Sequence, residues 1–129
     1  MGKFRHGRNV LVFGAGPIGL LCAAVAKALG ATEIVVVDID SSRLEFAKQY
    51  AATGTFLSPP QEKDEKKMDY AKRVVQQLFS TLGFKDRGPK SFDLVLDATG
   101  VETCILMSVL AVKPGGTFVQ VGYLISSLF

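Results

Sequence analysis

The sequence predicts an α/β domain built on a doubly wound parallel sheet. Three observations carry this: short apolar runs of strand length alternate with helix-length segments, those segments are long enough to act as crossovers, and a GxGxxG falls at the first strand-to-helix junction. Helical crossovers between neighbouring strands require parallel pairing, which places helices on both faces of the sheet.

The elements follow in order. Val10 to Phe13 is a continuous apolar run of strand length, and Pro17 to Leu29 is a helix apolar almost all round, expected to be buried on more than one side. Gly30 closes that helix. Ile34 to Val37 is a β-branched run fitting a strand buried on both faces, and it ends on Asp38. Ser42 with Glu45 three residues on reads as a capping box opening a helix that continues to about Ala51. Thr55 to Leu57 is a short third strand, and Pro59-Pro60 breaks the chain. After the polar run "EKDEKK", Val74, Val75, Leu78, Phe79 and Leu82 share one face of a helix from about Glu65 to Leu82. A loop marked by Gly83, Gly88 and Pro89 leads to a fourth strand, Phe92 to Leu96, ending at Asp97. A helix from Glu102 to Leu110, the turn "KPGG" and a fifth strand from Thr117 to Val121 complete the order βαβαβαβαβ.

The 129 residues fit a single domain with a leader over residues 1–8. Nearly half of them are hydrophobic, which argues against disorder. The net charge of +3 lies mostly in the leader and between Lys63 and Lys90, and reads as a solvated face. No basic stripe with interleaved aromatics points to nucleic acid. The longest apolar stretch is too short to span a bilayer, so no membrane partner is expected. Cys22 and Cys104 lie far apart within apolar helical patterns, and read as two buried reduced thiols in a cytoplasmic protein.

The GxGxxG of Gly14, Gly16 and Gly19 sits where the motif has a mechanism. The first glycine makes the tight turn, the second lets backbone approach a pyrophosphate, and the third lets the helix pack close to the strand. Free amides at the helix start face the anion, and Pro17 suits the first helical position because it has no N–H to lose. Asp38, nineteen residues beyond Gly19, can accept from both ribose hydroxyls of NAD while repelling the extra phosphate of NADP. Its alternative is a helix cap, a role Ser42 already fills in this reading. Asp40 is a second, weaker ribose candidate. Arg43 either flanks the adenosine or is a solvated first-turn residue. Ligands of open α/β sheets bind at the carboxyl ends of strands, where Thr99 and Gly100 could line the adenosine half and Val121 and Gly122 could present backbone to the nicotinamide. Ordinary turn chemistry is the competing reading for each.

The stretches "VLVFGAGPIGLLCAAVAKALGA", "IVVVDIDSSRLEFAK", "FDLVLDATG" and "KPGGTFVQVG" resemble, in order, the cofactor domain of the medium-chain, zinc-type alcohol and polyol dehydrogenases. The runs "YAATGTFLSPPQEKDEKKMDYAKRV" and "TCILMSVLAVKPGGTFVQVG" are similar to the fungal and yeast xylitol dehydrogenases within that family. The resemblance implies a Rossmann sheet ordered 3-2-1-4-5 and reversible NAD-linked oxidation of xylitol to D-xylulose. It puts Gly14, Gly16, Pro17, Ile18 and Gly19 at the pyrophosphate, Asp38 on the adenosine ribose and Arg43 near the adenosine end. Thr99 and Gly100 fall along the cleft, with Val121 and Gly122 beside the nicotinamide.

The same resemblance implies zinc in a catalytic domain of the full-length parent, but not in this chain, whose single histidine lies in the leader. No catalytic residue is therefore assigned here. The family continues after the fifth strand with a helix and a sixth strand, whereas this chain runs into the apolar tail "YLISSLF". The chain is accordingly expected to be a truncated cofactor domain. Its expected partners are NAD(H), the missing catalytic domain and, through an unpaired sheet edge, other copies of itself. Two competing classes are an S-adenosylmethionine-dependent methyltransferase, whose glycine turn usually begins with an acidic residue, and a non-enzymatic NAD-binding or docking module.

Overall fold

A computed structural model describes residues 7–121. The remainder of the leader, Gly122 and the tail from Tyr123 to Phe129 lie outside the described residues, and so does any continuation of the sheet there.

Nine elements alternate in the expected order: β1 (Asn9–Phe13), α1 (Pro17–Ala28), β2 (Glu33–Asp38), α2 (Ser41–Tyr50), β3 (Gly54–Leu57), α3 (Lys67–Leu82), β4 (Phe92–Asp97), α4 (Glu102–Ala111) and β5 (Val112–Gln120). All pairings are parallel, in the order β3-β2-β1-β4-β5. The central strand β1 is buried at every position, as its unbroken apolar run requires.

Each face of the sheet carries its own core. Leu11, Phe13, Val35, Val37 and Val95 pack beneath α3 and α4, and the alternate residues Val10, Val12, Ile34, Val36 and Leu96 pack beneath α1 and α2. The buried stripe of α3 is Tyr70, Ala71, Val74, Val75 and Leu78, a helical repeat that continues the expected face one turn earlier.

Several local expectations need correction. Helix α1 is not buried on more than one side: Gly19, Ala23 and Ala26 face the sheet, while Leu21 is 59% exposed and Val25 and Leu29 also face outward. Its outer side is apolar and uncovered among the described residues. Ser42 does not cap α2. Asp40 does, accepting from the N–H groups of Ser42 at 2.9 Å and Arg43 at 3.3 Å, because its carboxylate sits immediately before the first helical residue and reaches two orphan amides.

Glu65 does not open α3. It closes a turn, its N–H bonded to the Glu62 carbonyl and its carboxylate accepting from the Glu62 N–H, and it pairs with Arg73 at 2.8 Å. The "KPGG" turn lies within β5 rather than before it. Phe92 pairs with Val112 and Leu94 with Thr117, so Lys113 to Gly116 form an excursion in the strand, with Gly115 at φ 79°. Strand β5 then ends at Gln120, leaving Val121 one residue beyond it. Both cysteines are free and half-buried rather than fully buried.

Candidate functional site

The carboxyl ends of β1, β2 and β4 converge on the glycine turn. Gly14 has φ 104°, a conformation L side chains rarely adopt, and a Cβ there would lie 3.0 Å from the Thr99 methyl. Gly19 is closed in a different way: an added Cβ would fall 1.8 Å from the Gly14 carbonyl oxygen, so α1 packs against the turn at a distance only glycine permits. Gly16 meets nothing within 4 Å, leaving the backbone open at that point. Gly16 is also the N-cap of α1, offers no side-chain cap and is followed by Pro17 at the first helical position. The first-turn amides of Ile18 and Gly19 therefore belong to the orphan set that anions satisfy.

Asp38 ties this turn together. One carboxylate oxygen accepts the Ala15 N–H at 2.8 Å and the other the Asp40 N–H at 2.9 Å. Each oxygen keeps a further acceptor direction, and the side chain remains half-exposed at the cleft. Neither helix is capped by Asp38, so the cap alternative fails at the residue level, although the residue that fills the role is Asp40.

Asp97 holds the facing loop. It is fully buried and accepts from the Thr99 hydroxyl at 2.6 Å, the Thr99 N–H at 2.9 Å and the Gly100 N–H at 3.2 Å. The Thr99 hydroxyl in turn accepts the Val101 N–H at 3.1 Å. That hydroxyl is spent within the loop, and Thr99 presents its methyl group to Gly14.

Between these loops lies a cleft of about 170 Å³ lined by Gly14, Asp38, Ile39, Ser58, Tyr70, Thr99 and Cys104, among others. Burial pushes the Cys104 thiol pKa up, and the nearby carboxylates of Asp97 and Asp38 act in the same direction against a hydrogen bond with Thr99. The thiol stays protonated and packs as a small apolar group. Around the cleft mouth, the Asp40 carboxyl is held below its usual range by hydrogen bonds from Ser42 and Arg43 and by the Arg43 charge.

Of the sequence-predicted residues, the structure brings Gly14, Asp38 and Thr99 into the cleft, while Gly16, Pro17, Ile18 and Gly19 form the start of α1, with Gly19 packed on Gly14. Gly100, with φ 70°, sits on the exposed bend behind Thr99. Arg43 points along the surface toward Asp40, its Nε 3.9 Å from the carboxylate. Val121 joins a separate apolar groove with Leu21, Cys22, Val25, Leu94 and Leu96. Ser58 and Tyr70 also line the cleft, although no sequence motif marks them. They come from the end of β3 and the first turn of α3, with no spacing motif linking them to the glycines. Among the described residues, no group of three or more His, Cys, Asp or Glu side chains could hold a metal ion. None of the helices there is long and apolar enough to cross a membrane.

The comparisons with known proteins agree with this geometry. The chain is 45% identical over 116 residues to the probable D-xylulose reductase A of Aspergillus fumigatus, and 42% identical over 116 residues to the D-xylulose reductase A of Aspergillus oryzae. Each match covers 90% of this chain and 29% of the relative, so the chain spans under a third of the length of the relatives it matches. Among solved structures, the alcohol dehydrogenase TADH from Thermus sp. ATN1 superposes with a TM-score of 0.70 at 32% identity, over 93% of this chain and 30% of that one. A zinc-binding dehydrogenase from Sinorhizobium meliloti 1021, solved bound to NADP, superposes with a TM-score of 0.70 at 28% identity, over 92% of this chain and 30% of that one. The family model described as zinc-binding dehydrogenase matches residues 17–128. The chain belongs to the zinc-binding dehydrogenase family.

Proposed function

We propose that this chain is the NAD(H)-binding domain of an oxidoreductase that interconverts a polyol and its ketose, with xylitol and D-xylulose as the pair. The observation that carries the reading is the glycine turn itself: Gly14 at positive φ, Gly19 locked against the Gly14 carbonyl, and Gly16 open to close approach, with Asp38 bonded to the same turn. In this reading the backbone around Gly16, Pro17, Ile18 and Gly19 receives the pyrophosphate at the positive end of α1. Asp38 receives the adenosine ribose hydroxyls, Arg43 flanks that ribose, and Thr99 and Gly100 form the facing wall. Val121 and Gly122 present backbone to the nicotinamide. Bound nicotinamide supplies hydride acceptance and return, while the chain's own residues bind and orient it.

The free carboxylate capacity of Asp38 favours NAD over NADP, because a 2′-phosphate would meet a fixed negative charge. The relatives named D-xylulose reductase support the polyol assignment. Among the described residues, no group of three or more His, Cys, Asp or Glu side chains fits a zinc site. Substrate activation and efficient turnover are assigned to a catalytic domain that docks on the open apolar side of α1, where Leu21, Val25 and Leu29 lie exposed. Self-association along β5, which pairs only with β4 among the described residues, is a further partner contact in this proposal. The free thiols Cys22 and Cys104 support a reducing, cytoplasmic setting.

The reading is tested by titrating NADH and S-adenosylmethionine while following NADH fluorescence and thermal stability. Saturable NADH binding and stabilisation by NADH alone support it. Stabilisation by S-adenosylmethionine alone contradicts it.

A further inference from the structure

Tyr70 is 6% exposed, and its hydroxyl is 2.6 Å from the Pro59 carbonyl and 3.3 Å from Ser58 Oγ. The phenol has one proton. The short contact to a carbonyl, which can only accept, takes that proton. That makes Ser58 the donor in its 3.3 Å contact with the Tyr70 oxygen, with the Pro59 carbonyl at 3.5 Å as the alternative acceptor. Both arrangements spend the Ser58 proton on the protein and leave its lone pairs unused.

Ser58 is fixed in place by its backbone N–H, which donates to the Asp38 carbonyl at 2.9 Å, and both Ser58 and Tyr70 line the cleft that holds Asp38. The rest of that lining is largely apolar, including Ile39, Val101 and Met107. A flat heteroaromatic ring suits such a slot, and a single acceptor at one end tells a ring edge that donates from one that accepts.

Resting on the dinucleotide reading above, we propose that Ser58, oriented by Tyr70 and Pro59, is a specificity residue for the cofactor's base, accepting a hydrogen bond from the exocyclic amine of adenine. The Ser58 acceptor selects a 6-amino purine against a 6-oxo purine, whose carbonyl would face lone pairs with no proton between them. The ribose and the base are then read by different residues, Asp38 and Ser58, joined through one backbone hydrogen bond.

The experiment compares NADH with reduced nicotinamide hypoxanthine dinucleotide, in which the 6-amine is replaced by a carbonyl and N1 gains a proton, by fluorescence titration of the wild type, Ser58→Ala, Tyr70→Phe and Asp38→Ala. The wild type is expected to prefer NADH by about three- to tenfold, the range of one net hydrogen bond. Ser58→Ala removes the preference. Tyr70→Phe reduces it, by freeing the serine hydroxyl to rotate. Asp38→Ala weakens both ligands while keeping their ratio. Equal wild-type affinity for the two ligands, or a preference that survives Ser58→Ala in a protein with unchanged thermal midpoint, overturns the role of Ser58 while leaving NADH binding intact. Absence of NADH binding by the wild type overturns the dinucleotide reading and this proposal with it.

Discussion

The two ends of the sheet use carboxylates in opposite ways. At the amino end, Asp93 on β4 is saturated: it accepts the Asn9 N–H at 2.8 Å and pairs with Arg8 at 3.1 Å and with Lys113. Burial alone would raise its pKa, but the Asn9 amide, Lys113 and Arg8 outweigh that and hold it below the usual carboxylate range. At the carboxyl end, the partners recorded for Asp38 and Asp97 are backbone amides and one hydroxyl, with no cation among them. A saturated charge locks strands together, and the fully buried Asp97 holds its loop, whereas Asp38, half-exposed and fixed by two amides, keeps acceptor capacity. The difference separates the end whose carboxylate is saturated by cations from the end proposed above to receive the cofactor.

Substitutions within the glycine turn divide these roles most sharply. Gly19→Ala would force a Cβ into the Gly14 carbonyl and is expected to cost roughly 3 kcal/mol, read as a lowered denaturation midpoint. Gly16→Ala meets open space and is expected to stay within about 1 kcal/mol of wild type. NADH affinity of that variant should nonetheless fall by about tenfold or more, as the methyl occupies the approach to the pyrophosphate. A Gly16→Ala protein that melts early and binds normally would reverse the assignment.

At the other end, Asp93→Asn should lower stability by roughly 2 kcal/mol at neutral pH, since it leaves two cations without their shared partner. Because the folded pKa of Asp93 lies below its ordinary 3.8, its contribution is present above that value and is lost as the pH falls through the folded pKa. The variant and wild type should therefore converge in acid. Parallel stability curves across that range would break the comparison. Cofactor affinity at neutral pH should not change.

A smaller effect is expected at Glu65, whose carboxyl is held at about 2 by Arg73 and the Glu62 amide. Its stabilising contribution is present above its ordinary 4.5 and disappears toward pH 2. Glu65→Gln should lower stability slightly above pH 4.5 and flatten the acid unfolding profile, followed by circular dichroism, by the same small amount.

The alternation of elements and the glycine turn were legible because both are written in local pattern: period, punctuation and the strict spacing of Gly14, Gly16 and Gly19, whereas the sheet order 3-2-1-4-5 came from the family resemblance. What escaped depends on competition or on distance. Asp40 and Ser42 are both capping residues two positions apart, and only the backbone path after Asp38 decides that Asp40 reaches the free amides. Glu65 fits a helical first turn in sequence, but its pairing with Arg73 belongs to a turn that precedes α3. The outer side of α1 reads as core because an apolar residue looks the same in sequence whether or not its own domain covers it. Ser58 and Tyr70 reach the cleft through a strand end and a crossover helix, a tertiary coincidence that no motif encodes. The stripe containing Val74, Val75 and Leu78 extends back to Tyr70 by helical spacing and could have placed that residue inward, but not at a ligand.

The central claim is that the amide-held carboxylate of Asp38 recognises the ribose of NAD. Titrating NADH and NADPH into the wild type and Asp38→Ala, with thermal midpoints measured alongside, tests it directly. The account predicts that the wild type prefers NADH, and that Asp38→Ala loses about tenfold or more in NADH affinity and most of its discrimination against NADPH. Equal NADH binding by the wild type and a folded Asp38→Ala protein would contradict it.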